Sequence, residues 1–225
     1  MPAAELPIPA VSQLEPIFRL ARKPDSWCPP DWAFADEDGT FGNRFDDSEG
    51  YFRVLYASST RLGCFIETLA RFRRGPVDPD LDLSGPDADH IPRGTVPATW
   101  LTTRCMGQAT IYDARFADVY NSQSVAYLRN QFEAELVKSE GTINFDMAVL
   151  MSQRRWLSQQ ISTLVCSLEY DGIAYQSRHG SDLWNCAIFE PFVRLQRLGS
   201  SDLSIDDPDF QTALKRLDLV VDPGR

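Results

Sequence analysis

The chain has 225 residues, 43% apolar and 11% aromatic, enough to bury a real core and within the usual size of one domain. A formal charge of -10 and a sequence pI near 4.7 repel a phosphate backbone, and the short Arg71, Arg73, Arg74 cluster does not offset that, so direct nucleic-acid binding is not expected. The five cysteines are scattered without a C-x-x-C pair and only His90 and His179 could join them, which predicts reduced thiols in a cytoplasmic protein and no metal site.

The opening MPAAELPIPAV has no basic region, which argues against a signal peptide, and no stretch approaches the length of a membrane span. Residues 1–15 read as an extended arm, 16–198 as a single α+β domain, and 199–225 as an acidic tail with a short helix around Phe210, Leu214 and Leu217. The first expected strand is Pro16 to Leu20, with Arg19 set among apolar neighbours. Residues 23 to 50 are rich in Pro, Asp and Gly and read as a loop pinned by Trp27, Trp32, Phe34 and Phe41.

Tyr51 to Ala57 is the clearest strand, and Ser58, Ser59 and Thr60 then offer hydroxyls to cap a helix. That helix, Arg61 to about Arg73, has Leu62, Phe65, Ile66 and Leu69 at helical spacing, leaving Glu67 off the centre of the apolar stripe. Residues 75–99 read as a long loop, Thr99 to Thr103 and Gln108 to Tyr112 as two strands. Helical spacing returns at Val125, Leu128, Phe132 and Leu136, and in a second helix from Met147 to Leu168 that ends at an Asp171-Gly172 turn. Ile173 to Ser177 and Trp184 to Phe189 are strands around the polar loop 178–182.

No phosphate-binding glycine loop, dinucleotide fingerprint, zinc-protease helix or hydrolase elbow is present. The run Asp78 to Asp82 imitates the start of a calcium loop, but Leu83 stands where glycine is required and Asp89 where the closing glutamate belongs. What remains is a set of polar residues near the ends of expected strands: Arg19, Arg44, Tyr56, Glu67, Tyr175 and Ser177.

The stretches Gly42-Asn43-Arg44-Phe45-Asp46-Asp47, Phe52 to Ser59, Glu67-Thr68-Leu69-Ala70 and Asp171 to Arg178 strongly resemble the core of RES-domain proteins. The resemblance covers roughly residues 16 to 192, with Arg44, Glu67 and Ser177 in the order of the arginine, glutamate and serine that name the family. Asn43 and Phe45 depart from the Gly and Trp often found there. The family's toxins are similar in fold to ADP-ribosyltransferases, consume NAD⁺ by hydrolysis or phosphorolysis, and are neutralised by an Xre-type helix-turn-helix antitoxin.

The resemblance therefore implies cleavage of the nicotinamide–ribose bond, with NAD⁺ as substrate, inorganic phosphate as a candidate co-substrate and no resident cofactor. Arg44, Glu67 and Ser177 would be catalytic, and Arg19, Tyr56 and Tyr175 would bind the dinucleotide. The chemistry suits these residue types: guanidinium forks match phosphate oxygens, and a carboxylate stabilises an oxocarbenium-like ribose. The bland alternatives are that Arg44 pairs with Asp46 or Asp47, that Glu67 is a solvated helix residue and that the tyrosines are packing groups. No base lies beside Ser177 in sequence, so it is not read as a nucleophile; His179, Arg178 and Asn185 rank lower. ADP-ribosyl transfer to a protein and a non-catalytic NAD-binding module are the competing functions, and self-association is left open.

Overall fold

The computed structural model describes residues 6–11, 15–37, 39–73, 94–141, 144–152, 154–192 and 194–222. In chain order its strands and helices are β1 (Ala10–Val11), β2 (Ile17–Arg22), β3 (Val54–Ser58), α1 (Arg61–Leu69), β4 (Thr95–Pro97), α2 (Ala98–Thr102), β5 (Arg104–Ile111), β6 (Phe116–Asp118) and α3 (Ser122–Glu140). There follow α4 (Met147–Met151), α5 (Arg155–Ser167), β7 (Gly172–Ser177), β8 (Gly180–Phe189), β9 (Leu195–Asp202), α6 (Pro208–Leu217) and β10 (Val220–Asp222). The acidic calcium-like run at 78–82 lies outside the described residues, as does the expected loop as far as residue 93.

The α+β class holds, with most strands gathered into one eight-stranded sheet of order β1-β6-β7-β8-β3-β2-β5-β9. Only β6 and β7 pair in parallel there; a separate parallel pair joins β10 to β4. At the centre, β3, β8 and β7 run antiparallel, which puts Ser58, Asn185 and Tyr175 in one cross-strand row and Tyr56, Ala187 and Ile173 in another. Because side chains alternate with period two, both rows face the same side of the sheet.

Two apolar clusters flank the place where those rows lie. One joins Leu128, Phe132 and Leu136 of α3 to Val149, Leu157, Ile161 and Val165 of α4 and α5 and to Ile173 and Ala187 of the sheet. The other packs Phe65, Ile66 and Leu69 of α1 against Trp100 and Leu101 of α2 and Phe210, Leu214 and Leu217 of α6. Phe65 and Phe210 meet edge to face at 5.5 Å, a geometry favoured by the ring quadrupoles. The tail's expected helix is α6; residue 198, the expected end of the domain, falls inside β9, and α6 buries its apolar face on α1.

Two expectations are corrected. Thr99 to Thr103 is helical, not a strand: Trp100 and Leu101 are adjacent yet both buried, which a helical turn allows and an alternating strand does not. The expected helix from Met147 to Leu168 is two helices, because Asp146 caps a single short one and the chain leaves helical geometry at Ser152 before α5 begins.

Thr60 accepts the N–H of Gly63 and caps α1, as the hydroxyl run suggested. Gly63 is required by proximity: a Cβ there would lie 2.0 Å from Ser58 Oγ. Gly63→Ala should therefore push α1 off β3, lowering stability by about 1–3 kcal/mol and moving Glu67, one turn along the same helix face. Thermal unfolding of this variant checks the first effect; an unchanged midpoint would mean that the helix seat is softer than this contact implies.

Candidate active site

The loop at 42–46 is held from two sides. Buried Asp46 accepts the N–H groups of Phe41 and Asn43 at 3.0 and 2.7 Å and the Asn43 side-chain amide at 3.2 Å. Tyr56 accepts the Phe45 N–H at 2.8 Å and donates to Asp46 at 3.3 Å. From the other side α5 presents a polar stripe: Gln159 donates to the Asn43 carbonyl, Ser162 to the Phe45 carbonyl at 2.7 Å and Thr163 to Asp47 at 2.9 Å. Burial raises the Asp46 and Tyr56 pKa values, against the hydrogen bonds that Asp46 accepts, and keeps the Tyr56 phenol protonated.

This clamp fixes the direction of Arg44. Its guanidinium donates to the Leu150 carbonyl and lies 5.1 Å from the Phe45 ring centroid and 6.0 Å from that of Tyr175. Asp46 and Asp47 are occupied with backbone and hydroxyl groups, so the alternative in which either neutralises Arg44 is not what forms.

Arg44 opens on a cleft of about 620 Å³ whose walls include Tyr56, Glu67, Ser158, Tyr175, Arg155 and Arg178. A second cavity of about 290 Å³ adjoins it, sharing Asn43, Tyr56, Glu67 and Tyr175 and adding Arg19, Ser58 and Asn185. Arg19 donates to the carbonyls of Ser26 at 2.7 Å and Tyr56 at 2.8 Å, and desolvation lowers its pKa. Among the described residues, none of Arg19, Arg44, Arg155 and Arg178 takes part in an ion pair. A protein of net charge -10 thus exposes a cationic cleft with Glu67 as the carboxylate in its wall.

Glu67 projects from α1, exposed toward the cleft, and its Oε1 accepts from Asn185 Nδ2 at 2.8 Å. Tyr175 is buried and packs on Phe45 with ring centroids 5.0 Å apart; burial, with Glu67 acting in the same direction, raises its phenol pKa well above the ordinary value.

Of the expected site residues, Arg44, Tyr56, Glu67 and Tyr175 come together and Arg19 borders the adjoining cavity. Ser177 does not line either: it is 3% exposed, and its Oγ accepts the His179 N–H at 3.0 Å, which shapes the turn between β7 and β8. His179 is half-buried, and desolvation lowers its pKa while Glu67 opposes that shift. Arg155 and Ser158 were missed in the sequence because they belong to α5, whose start was hidden inside one long expected helix. Asn185 ranked too low, since its contact with Glu67 spans two distant elements.

The RES domain pattern matches residues 16–206. The chain belongs to the RES-domain family. This RES-domain chain is similar in fold to a crystal structure of the M. tuberculosis MbcT–MbcA toxin–antitoxin complex, with a TM-score of 0.53 at 13% identity, covering 94% of this chain and 90% of that one. No curated protein matches the sequence. Among the described residues, no cluster of His, Cys, Asp and Glu could hold a metal ion, all five cysteines are free, and no helix is long and apolar enough to cross a membrane.

Proposed function

We propose that this RES-domain protein cleaves the nicotinamide–ribose bond of NAD⁺. The observation that carries the reading is the convergence of Arg44, Arg155 and Arg178, none in an ion pair among the described residues, on a cleft whose wall includes Glu67. Guanidiniums not already paired with carboxylates can take the pyrophosphate dianion, their planar forks matching its oxygens. Glu67 then accepts a ribose hydroxyl and stabilises the positive charge that develops as nicotinamide departs. Arg19 serves the adjoining cavity, and Tyr175 offers a ring edge to the bound dinucleotide. Tyr56 acts chiefly through its hydroxyl, which orders the Arg44 loop.

Water or inorganic phosphate accepts the ADP-ribosyl group in this reading, and the protein works as a toxin silenced by an antitoxin of helix-turn-helix type. Membership of the RES family and likeness to the toxin–antitoxin complex support the pairing. With a net charge of -10 and a cationic cleft, the acidity lies outside the cleft, where it favours a basic partner face seated at the rim so as to block substrate entry.

The test is incubation of purified protein with NAD⁺, with and without phosphate, beside Glu67→Ala, with products identified by mass spectrometry. Nicotinamide from wild type alone is the expected result, with ADP-ribose or its phosphorylated form naming the acceptor. No turnover in either buffer, followed by ADP-ribose transfer when cell lysate is added, would replace this reading with modification of a protein. No turnover in lysate either would leave a binding role.

A further inference from the structure

Glu67 stands on a helix surface, where a glutamate ordinarily samples several rotamers. Here one oxygen is held: among the described residues its side-chain hydrogen bond is the 2.8 Å contact with Asn185 Nδ2. A carboxylate only accepts, so the Asn185 amide nitrogen must face Glu67 and its Oδ1 must turn away. That Oδ1 is buried and, among the described residues, has no hydrogen-bond partner. Asn185 itself is 2% exposed, in the cross-strand row between Ser58 and Tyr175.

The same row also seats the helix, since Gly63 presses on Ser58 one turn before Glu67 meets Asn185. Two points of attachment, a turn apart, therefore fix both the helix and the carboxylate relative to the sheet. An amide whose oxygen is buried unpaired is a poor choice for stability alone, because an apolar group of similar volume would leave nothing unsatisfied. We propose that Asn185 is a positioning residue, holding Glu67 Oε1 so that Oε2 is aimed into the cleft toward the ribose. The proposal rests on the reading of the cleft as an NAD⁺ site; its structural half, the Asn185–Glu67 coupling, is testable without it.

Asn185→Leu should lower kcat for NAD⁺ cleavage by about 10- to 100-fold with KM within about twofold, since the loss is of orientation and not of binding. Its thermal midpoint should equal or exceed that of wild type, because the unpaired oxygen is gone. Asn185→Asp tests the same contact by charge. When the two carboxylates share a proton the hydrogen bond is restored; when both ionise they repel. The activity of Asn185→Asp should therefore fall as pH rises through a range in which the wild-type rate is flat.

A wild-type kcat in Asn185→Leu, or an Asn185→Asp pH profile parallel to that of wild type, overturns the proposal. Independently of turnover, the Asn185 side-chain amide resonance, assigned by its loss in Asn185→Leu, should shift in Glu67→Ala; an unmoved resonance also overturns it. If wild type fails to cleave NAD⁺ while that resonance moves, the substrate reading fails and the coupling of Asn185 to Glu67 stands.

Discussion

Glu67→Gln should leave the protein folded and reduce NAD⁺ cleavage by about 100- to 1000-fold, the usual consequence of losing one preorganised group that stabilises transition-state charge. The substitution isolates charge from shape. Glutamine keeps an oxygen that can accept from Asn185 Nδ2, so the 2.8 Å contact need not be lost, while the negative charge is. Glu67 is exposed and makes no ion pair among the described residues, so unfolding free energy should change by no more than about 1 kcal/mol. Steady-state kinetics beside a thermal melt decide it: undiminished kcat in a folded variant would remove Glu67 from the chemistry.

Arg44→Lys should cost about 100-fold in kcat/KM, with a raised KM carrying much of the loss. The guanidinium now does three things: it donates to Leu150, covers the Phe45 and Tyr175 rings and faces the cleft. A lysine ammonium is a point charge and cannot hold a planar fork on both the carbonyl and a phosphate. Losing the ring contacts and the bond to α4 should also lower stability by about 1–2 kcal/mol, visible as a lower denaturation midpoint. Wild-type KM in Arg44→Lys would mean that Arg44 serves the fold and that Arg155 and Arg178 carry the anion.

The parts of the fold that were legible are those whose pattern and burial agree. Leu62, Phe65, Ile66 and Leu69 announced α1, Leu128, Phe132 and Leu136 announced α3, and Phe210, Leu214 and Leu217 announced α6. Strand β9 escaped because it is exposed along nearly its whole length at the sheet edge, so Leu195 to Asp202 carries no alternation to read. The segment at Ala98–Thr102 misled through its threonines, whose β-branching favours strands, while tertiary burial of Trp100 and Leu101 decided for a helix.

The site divides in the same way. Arg44, Tyr56, Glu67 and Tyr175 lie in short motifs that local sequence displays, and they meet. Whether Asp46 neutralises Arg44 or anchors the loop, and whether Ser177 faces the cleft or the turn, is set by pairings made elsewhere. Tyr56 takes part of Asp46, and the register of β7 on β8 sets the surroundings of Ser177. Other parts of the site rest on contacts between residues more than a hundred positions apart, as Gln159 to Asn43 and Asn185 to Glu67, and no local window contains them.

The strand order has one more consequence, for assembly. In the order β7-β8-β3-β2-β5, the late hairpin β7-β8 is joined to the early strands β3 and β2, so β3 at Val54–Ser58 finds its partner β8 only at Gly180–Phe189. Closing such large loops before any pairing is gained makes folding slow and puts the centre of the sheet late in the process. A growing polypeptide that has passed Glu67 but not Asn185 lacks the strand between β3 and β7, and with it the amide that contacts Glu67. Whatever this cleft does to its substrate, it begins only once nearly the whole domain has been made and threaded together.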